Sequence, residues 1–184
     1  EETTTNESVA QILEVADEVA QLSADARRIE RLTRNSSTNQ SAVNLPQLVD
    51  EVVETVIGDR PDVSVAVEVP QVELSINREL LRFALRQLVD NAVEHNDSPS
   101  PRVEVRGTER ESGVRIVVCD NGPGIPNAEW QFIETGQEEV LNHATSLGLW
   151  ATKWTVQKMG GQLSRRDSES GAAVVIDLPT RISV

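Results

Sequence analysis

The stretch ELLRFALRQLVDNAVEH, residues 79–95, places Leu81, Ala84, Leu85, Leu88, Val89 and Ala92 at intervals of three and four, so all six share one face of a helix. Two runs of the opposite kind follow: RVEVRGT and VRIVVCD alternate or run apolar as strands do, and the turn at Glu111–Gly113 pairs them. A helix with so wide an apolar face, followed by a strand pair, has to lie on a sheet to bury that face. The rest of the chain extends the scheme. LPQLVDEVVETVI (45–57) is predicted helical, VSVAVEV (63–69) a half-buried strand and VELSI (72–76) a short one. LGLWATKWTVQKM (147–159) is predicted as a helix stopped by Gly160-Gly161, and QLSRRD and AAVVIDLP as a closing strand pair around Gly171. From about Asn127 to Ser146 the sequence is polar and poorly patterned, and no element is expected there. The expectation is an α+β fold: a two-layer sandwich in which a mixed, mostly antiparallel sheet is covered by three helices.

Upstream, Val9, Ile12, Leu13, Ala16, Val19, Ala20, Leu22, Ala26, Ile29 and Leu32 predict one long amphipathic helix over Ser8–Arg34. Arg27, Arg28, Arg31 and Arg34 suit its C-terminal dipole. A lone helix cannot bury its own stripe, so a partner helix from a second chain is expected, as in a homodimer. NSSTNQSAVN reads as a linker, which divides the chain into a helical segment 1–40 and a domain 41–184.

Charge narrows the function classes. Thirty acidic residues oppose 17 basic ones, for a net charge of −13, which argues against binding nucleic acid through its phosphates. Only Lys153 and Lys158 are lysines. At about 1 M salt the Debye length shrinks to roughly 3 Å and self-repulsion largely disappears, so this surface suits a cytosol of high ionic strength, although an ordinary acidic protein reads the same way. No run approaches the roughly 20 apolar residues of a membrane span and no basic-then-apolar leader opens the sequence. The one cysteine, Cys119, sits inside a strand-like run, so no disulfide framework is expected and a reducing, cytoplasmic setting fits.

Three short segments carry candidate chemistry. In VVCDNGPGIP, Asp120 ends a strand and meets Gly122 and Gly124; Asn, Gly and Pro there read equally well as plain turn formers. A carboxylate at that place can accept a hydrogen bond from an exocyclic amine, and glycines let a base and sugar lie against the backbone. On the preceding helix, Gln87, Asn91 and His95 form an i, i+4, i+8 line beside the apolar stripe. That line is either a solvated edge or a ligand-facing one in which the Asn91 carbonyl oxygen suits a hard cation such as Mg²⁺. In HATSLGLW, a helix starting at Leu147 offers free N–H groups to a phosphate, with Gly148 allowing close approach. Trp150 and Trp154, at i and i+4, are expected in the core.

Taken in order, VDNAVEHND, CDNGPGIP and SLGLWATKWTVQKMGGQL resemble the N box and the two glycine boxes of the ATP-binding catalytic domain of sensor histidine kinases, in the GHKL superfamily with its Bergerat fold. The likeness spans about Leu45 to Pro179, and its texture is similar to kinases of halophilic archaea. It implies ATP and Mg²⁺ as ligands. Asn91 would be the catalytic and metal-binding residue, Asp120 would bind the adenine amine, and Gly122, Gly124 and Ile125 would shape the pocket. His95 would lie near the nucleotide, Leu147, Gly148 and Leu149 would hold phosphates, and about Glu134 to Ser146 would form the lid. The helix over Ser8–Arg34 resembles the second helix of the dimerisation and phosphoacceptor hairpin, and a response regulator receiver domain is the implied partner.

The departures are specific. Ala144 and Ser146 stand where the second glycine box usually has glycines, Gln87 cannot act as a base, and Glu94 replaces a frequent phosphate-contacting lysine. The Phe-x-x-Phe box is not evident, with Trp130 and Phe132 as partial substitutes in packing. Neither His95 nor His143 falls on a dimerisation helix, so the acceptor histidine is expected upstream of Glu1. The expected function is the catalytic part of a two-component kinase; the alternatives are a catalytically degenerate nucleotide-binding or regulatory domain, and a serine kinase of the anti-sigma type.

Overall fold

The computed structural model describes residues 40–58, 60–135, 145–166, 168 and 170–179, together with Arg27. The helix expected over Ser8–Arg34 and most of the expected lid lie outside the described residues. In chain order the elements are β1 (Ser41–Asn44), α1 (Leu45–Ile57), β2 (Ser64–Glu68), β3 (Glu73–Ile76), α2 (Arg78–Glu94), β4 (Arg102–Arg110), β5 (Gly113–Asp120), α3 (Asn127–Thr135), α4 (Thr145–Lys158), β6 (Gln162–Arg165) and β7 (Ala173–Pro179).

Five strands form one sheet in the order β2-β4-β5-β7-β6, and β1 pairs with β3 in a separate two-stranded ribbon. All pairings are antiparallel except β2 with β4, whose connection contains β3 and α2. Period-two alternation sends Val114, Ile116 and Val118 of β5 and Val174, Ile176 and Leu178 of β7 into the core beneath the helices. Register locks this face, because Val118 lies opposite both Val105 and Val174, and Ile116 opposite Ile176. The apolar stripe of α2 closes the core from above: Leu81, Ala84, Leu85, Leu88, Val89 and Ala92 are all buried.

Local chemistry sets the helix ends. The Asn44 side chain accepts from Gln47 N at the start of α1, and the Asn77 side chain accepts from Glu79 N and Leu80 N at the start of α2. At the end of α4, Gly160 (φ +77°) and Gly161 donate to Gln157 O and Val156 O, a two-bond stop that needs the left-handed glycine.

Four expectations change. The linker ends sooner than read, since Ser41–Asn44 is a strand registered against β3. The stretch read as unpatterned contains α3, so four helices, not three, are found among the described residues. Its buried side chains, Trp130, Phe132 and Ile133, are too few and too closely spaced to make a helical period visible. Strand β2 is an edge strand, mostly exposed rather than half-buried. Trp150 is 42% exposed, and Trp154 is only partly buried, packed on Phe83 and Ala151 away from the main core.

Candidate functional site

A cavity of about 410 Å³ opens between α2, the end of β5, the loop after it, α3 and α4. Its lining brings together Asn91, His95, Asp120, Gly124, Ile125 and Leu149, six of the nine residues singled out from the sequence. Leu88, Ala92, Val118 and Val174 add apolar walls, so the space suits a flat, largely apolar group with a few polar contacts.

The α2 wall follows from helical spacing. Gln87, Asn91 and His95 climb one line, with Gln87 at the crossing with α4, where a Cβ on Gly148 would lie 2.9 Å from Gln87 Oε1. One turn on, Asn91 reaches the cavity with its buried Nδ2 lacking a hydrogen-bond partner among the described residues. A buried, unpaired amide N–H costs about 1–3 kcal/mol. His95 is exposed and ends the helix, donating its N–H to Asn91 O.

The β5 wall is fixed by backbone bonds. Asp120 Oδ1 accepts from Gly122 N at 2.8 Å and Ala172 N at 3.2 Å, while Asp120 N donates to Ala172 O at 3.0 Å. Both side-chain bonds use one oxygen, which leaves Oδ2 for a donor in the cavity. Burial pushes the Asp120 carboxyl above the ordinary carboxylate value, against the pull of the two N–H bonds and of His95. Gly171 makes this geometry attainable: its φ is +71°, and a Cβ there would lie 2.1 Å from Asp120 O. Sequence reading treated Gly171 only as a turn before the last strand; its nearness to Asp120 is a contact across 51 positions of chain and leaves no local signal.

Three expected residues take different parts. Gly122 is absent from the lining; a Cβ on it would meet Asn96 Cα at 3.1 Å and His95 O at 3.3 Å, so it serves the packing of the turn onto the end of α2. Helix α4 begins at Thr145, two residues before the expected Leu147, so Gly148 lies inside its first turns and faces Gln87. The Leu147 side chain lies outside the described residues. Leu149, 4% exposed, contributes an apolar wall through its side chain. Glu129 of α3 and Ala172 also line the cavity and were not anticipated.

Among the described residues no group of three or more His, Cys, Asp or Glu side chains is placed to hold a metal. A cation here would lean on the oxygen of Asn91 and on oxygens brought by a ligand, the pattern Mg²⁺ follows with phosphates. Asn91 lines the cavity, where its amide oxygen could serve such a cation while the unpartnered Nδ2 would suit a phosphate oxygen.

Over 165 residues the chain is 30% identical to the signal transduction histidine-protein kinase/phosphatase MprB of Mycobacterium sp. (strain KMS), covering 86% of this chain and 32% of that protein. It thus spans about a third of the length of this curated relative. The structure of the ATP binding domain of PrrB from Mycobacterium tuberculosis is 27% identical, with a TM-score of 0.64 over 77% of this chain and 97% of that one. Histidine kinase ThkA in complex with the response regulator protein TrrA shares the fold, at 18% identity and a TM-score of 0.68 over 90% of this chain and 49% of that one. The model for "Histidine kinase-, DNA gyrase B-, and HSP90-like ATPase" matches residues 76–182, which runs from the start of α2 past Asp120 and Gly171 and so takes in both walls of the cavity. With more than half of its length matched, this chain belongs to the histidine kinase-, DNA gyrase B- and HSP90-like ATPase family.

Proposed function

We propose that the chain is the ATP-binding catalytic part of a two-component sensor histidine kinase. The observation that carries the reading is the pairing, in one cavity, of a carboxylate pinned by two backbone N–H groups with an unpartnered buried asparagine amide. Asp120 Oδ2 accepts from the adenine amine, and Gly124, Ile125 and Leu149 flank the base. His95 lies at the rim, beside the nucleotide. Asn91 would hold Mg²⁺ through its amide oxygen, and the cation would neutralise phosphate charge. The first turn of α4, with Leu147 and Gly148, offers its N–H groups to the phosphates. Phosphoryl transfer asks the protein mainly to position groups and balance charge, which these residues do without a covalent step of their own.

The γ-phosphoryl group of ATP then moves to a histidine nitrogen on a dimerisation helix, leaving ADP, and passes onward to an aspartate of a receiver domain. The named relatives and the ThkA–TrrA complex support this order. The apolar spacing over Ser8–Arg34 supports a homodimeric helical segment 1–40 ahead of a domain 41–184. Dependence on ATP supports a cytoplasmic placement, and no helix among the described residues is long and apolar enough to cross a membrane. A halophilic setting is supported by the net charge of −13 and by what the two lysines do. Lys153 Nζ donates to Ile133 O and Glu134 O, and Lys158 stacks on Trp154, so neither lysine makes an ion pair in these contacts.

Calorimetry of Mg-ATP binding at high KCl, comparing the chain with Asp120→Asn, tests the reading. Micromolar to submillimolar binding that the variant loses is the expected result. A folded chain with no affinity for ATP would overturn the assignment in favour of a catalytically silent regulatory domain.

A further inference from the structure

We infer that Asn121 is a positioning residue that sets the spacing between the two walls of the cavity; this rests on the nucleotide-site reading above. Asn121 is half-buried and follows Asp120, yet it does not line the cavity. Its side chain faces the loop that joins α2 to β4. Oδ1 accepts from Asn96 Nδ2 at 3.1 Å and from Arg102 N at 2.7 Å. Nδ2 donates to Ser98 Oγ at 3.1 Å and to Ser100 O at 3.0 Å. An amide side chain has two acceptor positions and two donor hydrogens, so these four bonds saturate it.

The partners explain why that matters. Asn96 directly follows His95, the last cavity residue of α2, and Arg102 opens β4, which is registered with β5 through Val103 opposite Asp120. Asn121 therefore bolts the carboxyl end of the helix carrying Asn91 and His95 to the end of the strand carrying Asp120. The neighbouring residue gives independent support: a Cβ on Gly122 would sit 3.1 Å from Asn96 Cα, so turn and helix end are in tight contact at the same junction. Asn96 Oδ1 also accepts from Ser98 N, which holds the loop in the shape that presents Ser98 and Ser100 to Asn121. No residue other than asparagine supplies two donors and two acceptors within this reach, since glutamine is one methylene too long and aspartate brings no donor.

The test compares Asn121→Ala and Asn121→Asp with Arg115→Ala, a control on the strand that Asn121 follows, whose ion pair with Asp177 at 2.7 Å lies away from the cavity. Two readouts are taken on the full chain: Mg-ATP affinity by calorimetry, and amide hydrogen exchange at Gly122 and Ala172, whose N–H groups bond Asp120. Asn121→Ala is expected to weaken ATP binding about tenfold and to speed exchange at both amides about tenfold, with Arg115→Ala near the parent on both. Asn121→Asp keeps the accepted bonds but sets a carboxylate against Ser100 O, so it recovers part of both signals, and it carries the test if the alanine variant fails to fold. Protection of Gly122 and Ala172 in the Asn121 variants equal to that in Arg115→Ala would overturn the inference. The exchange readout needs no nucleotide, so a parent chain that binds no ATP defeats the functional reading while Asn121 is still judged.

Discussion

On the β5 side of the cavity, Asp120 Oδ1 takes two backbone N–H bonds, Asn121 has all four of its amide positions filled, and Gly171 adopts a backbone shape that only glycine accepts easily. On the α2 side, Asn91 keeps a buried Nδ2 without a partner among the described residues, and His95 is exposed. One wall is completed by the chain itself and the other leaves polar groups unpaired. The difference follows from what each is proposed to hold. A flat base is recognised by a rigid donor–acceptor edge, so preorganisation there costs nothing on binding. Phosphates and their cation bring their own oxygens and charge, so a site for them keeps an amide in reserve at some cost in stability.

Glycine substitutions should separate the walls most sharply. Gly171→Ala places a Cβ against Asp120 O in a left-handed backbone, so a loss of about 3 kcal/mol or failure to fold is expected in thermal melts, with nucleotide binding gone. Gly148→Ala meets only the movable end of Gln87 and gains helix propensity of up to about 1 kcal/mol, so its Tm should hold or rise. Equal damage from the two would show that the β5 wall is no more tightly built than the α4 side.

The second break uses pH. The folded carboxyl of Asp120 lies above its unfolded value of 3.8, so the neutral form is favoured in the folded chain. Stability from that preference is full below pH 3.8 and is lost as pH rises through the folded value. Asp120→Asn should therefore match the parent at low pH and melt higher at neutral pH. ATP binding needs the ionised form, so the parent's affinity should fall about tenfold per pH unit below the folded value. A pH-independent difference in melting would remove burial as the cause.

The smallest effect concerns the helix layer away from both walls. Trp150, 42% exposed, should tolerate Trp150→Gln within about 0.5 kcal/mol, with ATP affinity unchanged by calorimetry. A large loss would mean that this face is covered in solution and that the comparison must include a third surface.

Long periodic segments are legible in the sequence. The stripe of α2 matches what is buried, because a helix with one wet face writes its period into the sequence, and the near-continuous apolar runs of β5 and β7 are buried at almost every position. Asp120, Asn91 and His95 were legible too, each ending or lining such an element. Short or cooperative features were not. Ser41–Asn44 became a strand only because β3 offered an edge, and Asn127–Thr135 a helix whose buried face is Trp130, Phe132 and Ile133. Trp150 was misplaced because large apolar residues default to the core in sequence reasoning, while exposure depends on which side of α4 meets α2.

The sequence by itself determined the layer architecture, the acidic surface and the order of the three motif segments, since period, charge and turn chemistry are properties of neighbouring residues. Tertiary structure decided which glycines matter and what Asn121 does. Gly122 serves the packing of α2, Gly148 sits over Gln87 and Gly171 carries the close approach to Asp120, contacts that join residues 26 to 61 positions apart. Such contacts exist only once the sheet has brought its strands into register, and no local pattern can encode them.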